Sequence, residues 1–62
     1  MATVFINTVK YIKQVQKNYP GVIGNDLVKL VMLEIKQREP LSNYDIEQTK
    51  AEVEERVSNL IN

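Results

Sequence analysis

Asn25-Asp26-Leu27-Val28-Lys29-Leu30-Val31-Met32-Leu33-Glu34-Ile35-Lys36-Gln37-Arg38 decides how this chain folds. Asn25 or Asp26 suits a helix start, since either side chain accepts from free backbone N–H groups and Asp26 complements the positive end of the helix dipole. Seven apolar residues then cover most of the helix circumference, and only Lys29 and Lys36 mark a clear solvent line. A helix apolar on so many sides needs neighbours on more than one side. It is the expected core helix, and it points to a second chain. It should end at Arg38 or Glu39, because Pro40 restrains the residue before it and lacks a backbone donor.

The flanking segments follow the same logic. Pro20-Gly21 and Gly24 close the first segment. Within it, Val4, Phe5, Thr8, Val9, Tyr11, Ile12, Val15 and Tyr19 share one broad face at 100° per residue, opposite Lys10, Lys13 and Lys17. Residues 3–7 are rich in β-branched and aromatic side chains, so strand and helix both remain open there. Tyr11 and Tyr19 are expected to pack in a core or interface with their hydroxyls at the wet edge. Exposed Val22 and Ile23 would be unusual, so they too should cover the core or an interface. After Pro40, Ser42-Asn43-Tyr44-Asp45 reads as a relative of the capping box. Ile46, Lys50, Val53, Val57 and Leu60 then form a narrow heptad-type seam about two heptads long. That seam packs either on its own domain or on a partner. The Lys50 stem can run along it and release its amine to water. The expectation is an all-α chain, one small three-helix domain over residues 1–62, with helices at about 4–19, 25–38 and 43–61.

Composition restricts the chemistry. Among 62 residues there is no histidine and no cysteine. The usual proton shuttle, soft nucleophile and preferred zinc ligands are all missing. Ser42 and Ser58 have no histidine to activate them and suit helix termini. Asp45, Glu52 and Glu55 share one side of the third segment, and Glu47 and Glu54 another. Carboxylates on a single helix do not face each other across a cleft as glycosidase pairs do. The spacing of an EF-hand is absent, and Gly21-Val22-Ile23-Gly24-Asn25 lacks the spacing and lysine of a phosphate loop. No enzymatic role, cofactor, metal or small-molecule substrate is expected.

The formal net charge of zero hides a division. Residues 1–38 carry six basic and two acidic side chains, while residues 39–62 carry two basic and six acidic ones. The halves can attract each other within the fold or across a dimer. The longest apolar run, Leu30–Leu33, is far short of the ~20 residues that span a bilayer. The N-terminus lacks an early basic residue and a cleavage-site pattern, so no signal peptide is expected and the expected compartment is cytoplasmic. A chain this small seldom has a self-sufficient core without a staple, which favours a homodimer.

These features give two functional expectations. The first is a non-enzymatic protein–protein interaction or regulatory module acting through apolar helix faces, as a homodimer. Its interface residues would be Leu30, Met32, Leu33 and Val57, with the acidic third helix steering a basic ligand. The second is a small dimeric DNA-binding regulator with Lys10, Lys13, Lys17 and Lys29 on phosphates and an acidic C-terminal segment for a partner. Val4-Phe5-Ile6-Asn7-Thr8, followed by helix at 9–19 and Gly24-Asn25-Asp26-Leu27-Val28, resembles ribbon-helix-helix repressors. That resemblance implies an obligate dimer whose strands read the major groove, although no Lys or Arg stands in the strand segment. Pro40-Leu41, Ile46, Val57, Leu60 and Ile61 resemble the core positions of helix-turn-helix and winged-helix modules. That implies a recognition helix at 50–61, which would bring Glu52, Glu54 and Glu55 to phosphates, and Ala51 stands near the usual turn glycine.

Overall fold

The computed structural model describes residues 6–61, with the backbone alone at Ile61. Three helices follow in order: α1 (Thr8–Asn18), α2 (Gly24–Arg38) and α3 (Asn43–Ile61). Each packs against the other two. No strand occurs among the described residues. The all-helical expectation therefore holds, with α2 at the centre.

Local chemistry sets the boundaries. The α1 cap is Asn7, whose Oδ1 accepts from the Lys10 backbone N–H at 3.2 Å. Helix therefore begins at Thr8, later than the expected start at residue 4, and residues 1–5 lie outside the described part. The Tyr19 N–H closes α1 on the Val15 carbonyl, and the Val22 N–H donates to Tyr19 in the turn around Pro20-Gly21. Gly24 opens α2 with φ 63°, in the left-handed region that glycine enters without steric cost. This overturns the expected cap for α2. The preceding residue, Ile23, is extended and gives no side-chain cap, while Asn25 and Asp26 both lie inside the first turn. Asp26 still complements the helix dipole there. The α3 start is as expected: Ser42 Oγ accepts from the Asp45 N–H at 3.2 Å and donates to Asp45 Oδ2 at 3.0 Å.

The core consists of Ile12 and Val15 from α1, Leu27, Val28, Val31, Met32 and Ile35 from α2, and Val53 and Val57 from α3. More than half of it comes from α2, which is why so many sides of that helix are apolar. Ile6, Tyr11, Val22, Leu30, Leu41 and Ile46 pack against its edges. Tyr11 also links α1 to the end of α2, donating its hydroxyl to Glu39 Oε2 at 2.9 Å.

Several residues expected in the core or at an interface lie outside the core. The inner stripe of α3 runs through Ile46, Thr49, Val53 and Val57, leaving Lys50 and Leu60 exposed. Thr49 and Lys50 both fit the helical spacing, and the rotation that seats Val53 and Val57 turns Thr49 inward. Tyr19 is exposed, because α1 has already ended there. Ile23 is 72% exposed, since the chain is extended at the approach to Gly24.

Candidate functional site

One surface feature that joins exposed apolar area to charge lies between α2 and α3. On α2, Lys29, Leu33 and Lys36 are spaced i, i+4 and i+7, so they share one flank. Val28 and Met32 lie one step round the helix toward α3. Across from them, α3 contributes Lys50. Together these six residues line a groove of about 230 Å³. Val28 and Met32 form its buried floor, while Leu33 stands 54% exposed at its edge. The groove continues past Val28 toward Gly24, Asn25, Glu54 and Ser58, where α2 starts and α3 ends.

Structure redistributes the residues expected at an interface. Leu33 lies on the surface and Leu30 is half-buried against the core. Met32 and Val57 are core residues, 5% and 2% exposed, and each lines a recess between α2 and α3. A helix with so many apolar positions must place some of them inward, and packing with α1 and α3 selects which. The lysines Lys36 and Lys50, which the sequence expectation omitted, join Lys29 at the groove. Lys29-Leu33-Lys36 spacing on α2 was the available signal for one of them. Lys50 is added only by the fold.

Of the lysines assigned to phosphate contact, Lys10, Lys13 and Lys17 share an exposed stripe of α1, while Lys29 stands apart on α2. Lys10 borders a recess with Tyr11, Arg38 and Glu39, and Lys13 borders another with Val9, Ile12, Arg56 and Leu60. Lys29 belongs to the α2–α3 groove. The helix-turn-helix resemblance also fails in geometry. Residues 43–61 form one uninterrupted helix, because Ala51 favours helix and nothing there supplies a turn. The ribbon of the other resemblance cannot extend through the described residues either: Ile6 and Asn7 are not strand, and Thr8 is already helical.

Carboxylates gather elsewhere. Asp45, Glu52 and Glu55 rim a recess of about 410 Å³ over Ile6 and Leu41. They lie along one side of α3 and do not oppose one another across a cleft. Among the described residues no group of three or more carboxylate, histidine or cysteine side chains could hold a metal. The charge division of the sequence is not resolved by pairing within the fold. Ion pairs among the described residues are Arg38–Glu34 and Arg56–Glu52, each within one helix at i,i+4. No described helix is long and apolar enough to cross a membrane.

Compared with known proteins, the chain matches no family model, no curated protein and no solved structure.

Proposed function

We propose that this chain is a non-enzymatic interaction module that buries the α2–α3 groove against a protein partner. The observation that carries this reading is Leu33. A leucine more than half exposed borders a groove with an apolar floor, and Lys29, Lys36 and Lys50 frame it. Fully burying such a side chain is worth about 1.5–3 kcal/mol, and docking of a partner would bury the exposed half, worth roughly half of that. Charged side chains around an apolar centre give orientation and selectivity, and the centre gives affinity. The lack of histidine and cysteine and the absence of opposed carboxylates support a binding role over catalysis.

Photocrosslinking in the cells that make the chain tests this reading. A benzophenone amino acid at position 33 should yield protein adducts. The same group at position 19, where Tyr19 is 53% exposed at the end of α1 and lines no part of the groove, should not. Adducts absent at 33, or equal at both positions, would refute the reading.

A second reading retains the DNA-binding regulator. Lys10, Lys13 and Lys17 are exposed along α1, and none forms an ion pair among the described residues. It ranks lower because Lys29 belongs to a different surface. Duplex binding that falls steeply with salt and is lost in Lys13→Gln/Lys17→Gln would favour it.

A further inference from the structure

We infer that the partner seated on the α2–α3 groove is a helix of another protein in which carboxylates flank an apolar side chain. This inference rests on the interaction role proposed above and names the chemistry of the occupant. Every charged residue lining the groove is basic: Lys29 and Lys36 from α2, and Lys50 from α3. All three are exposed, and none has an ion-pair partner among the described residues. The acidic residues three or four positions from them along the chain are Asp26, Glu39, Glu47 and Glu54. These line no part of the groove and pair with none of the lysines. Glu54 borders the adjoining recess beyond Val28. The groove is therefore a stretch of uncompensated positive charge around an apolar centre, and an acidic partner complements it.

Three lysines alone would suit any polyanion, and Leu33 decides between them. It stands 54% exposed between Lys29 and Lys36, above the buried Val28 and Met32. A nucleic-acid backbone binds through phosphate charge and leaves a leucine uncovered. A helix that lies on a membrane presents a broad apolar face, whereas this flank offers one leucine between lysines. An amphipathic helix covers both features at once. Lys50 stands opposite Met32 and Lys36, and Glu54 and Ser58 stand opposite Gly24 and Val28, so α2 and α3 run antiparallel and leave a trough between them. A third helix fits along that trough. Lys29 and Lys36 are about 10 Å apart along the α2 axis, which is the rise of seven helical residues. Carboxylates at i and i+7 of the incoming helix match that rise in either direction, with an apolar residue at i+3 or i+4 over Leu33. The chain's own acidic helix does not offer this pattern. The apolar stripe of α3 is turned into the core, and Ala51 is the one exposed apolar residue between Asp45 and Glu55.

Titrations of the isotope-labelled full chain, followed by amide chemical shifts, test this. The probes are two synthetic helical peptides with the same leucine seam, one flanked by glutamates at i and i+7 and the other by lysines. The acidic peptide should shift the amides of Lys29, Leu33, Lys36 and Lys50 and leave those of Lys10 and Lys17 in place. It should bind at least about tenfold more tightly than the basic peptide, since each rim pair changes from attraction to repulsion. Lys29→Glu/Lys36→Glu should reverse that preference, and circular dichroism checks that the variant remains helical. Leu33→Ala should weaken the acidic peptide by about threefold to tenfold, because the apolar centre is lost. Equal affinity for the two peptides, no effect of Leu33→Ala, or shifts centred on α1 would each overturn the inference. So would duplex DNA or phosphatidylglycerol vesicles that move the groove amides at lower concentration than the acidic peptide does. The photocrosslinks at position 33 separate this failure from that of the interaction role. Adducts on a protein segment that lacks flanking carboxylates would end the inference and keep the role, and no adducts would end both.

Discussion

Replacing Thr8 with valine should stabilise this protein. Thr8 is the first residue of α1 and only 2% exposed, and its Oγ1 is the one buried side-chain oxygen without a hydrogen-bond partner among the described residues. Its backbone is already satisfied locally, the N–H donating to the Ile6 carbonyl at 3.0 Å. An unpaired buried hydroxyl costs about 1–3 kcal/mol in lost hydration. Valine has nearly the same shape, removes that penalty and adds a buried methyl group. Threonine and valine differ little in helix propensity, so the backbone effect is small. The expected net gain is about 1–2 kcal/mol, or a rise in Tm of roughly 4–16 °C at the ~4–8 °C per kcal/mol typical of so small a domain. Urea melts followed by circular dichroism should show a higher midpoint at unchanged slope. Thr49→Val is the control. Thr49 is also buried, but it borders the open recess beneath Asp45 and Glu52, where its hydroxyl can meet water. That variant should change the midpoint little. An unchanged or lowered midpoint for Thr8→Val would refute the reasoning, since it would mean that the Thr8 hydroxyl has a partner worth as much as its hydration.

Two further outcomes follow from the core and its edge. Ile35→Ala removes a fully buried side chain in the last turn of α2 and should cost about 2–5 kcal/mol, comparable with the ~3–9 kcal/mol total expected for 62 residues. Its thermal melt should lose cooperativity near room temperature, and a melt within a few degrees of wild type would contradict the assigned core. Tyr11→Phe should lower stability by about 0.5–1.5 kcal/mol, because it removes the bond from α1 to Glu39. Burial, the hydrogen bond to Glu39 and that carboxylate's charge all raise the Tyr11 pKa above 10.0. A hydroxyl pKa raised by folding contributes its full stability below the unfolded value near 10 and loses it as pH climbs through the folded value. Alkaline melts of wild type should therefore fall more steeply above pH ~10 than those of Tyr11→Phe, and parallel curves would exclude this linkage.

The sequence made the helices and their breaks legible where backbone chemistry was unambiguous. Pro20-Gly21 and Pro40 divided the chain, and Ser42 with Asp45 marked the start of α3. Legibility failed where two solutions satisfied the same spacing. Asn25 and Asp26 are good caps, but the left-handed Gly24 begins the helix a residue earlier. Thr49 and Lys50 both lie one turn beyond Ile46, and only the rotation of α3 against α2 selects between them. Met32 and Val57 were indistinguishable from Leu33 by hydrophobicity. Which of them is outside depends on where α1 and α3 lie, and that is a tertiary fact. The candidate site was half legible for the same reason: Lys29, Leu33 and Lys36 form a pattern on one helix, whereas Lys50 reaches them only through the fold.

The charge distribution then acquires a meaning that composition alone does not give it. Arg38–Glu34 and Arg56–Glu52 are intrahelical pairs of the kind worth about 0.3–0.5 kcal/mol each, and they do not connect one helix with another. The described tertiary contacts are overwhelmingly apolar, with Tyr11–Glu39 as a polar link between α1 and the end of α2. Segregating basic residues on α1 and α2 from acidic ones on α3 is thus not what holds the three helices together. A net charge of zero also leaves no long-range repulsion between copies. Lys29, Lys36 and Lys50 around an exposed leucine, without ion-pair partners among the described residues, are better suited to a contact made between molecules. Raising the ionic strength should accordingly loosen that contact while leaving the helical fold of each chain unchanged.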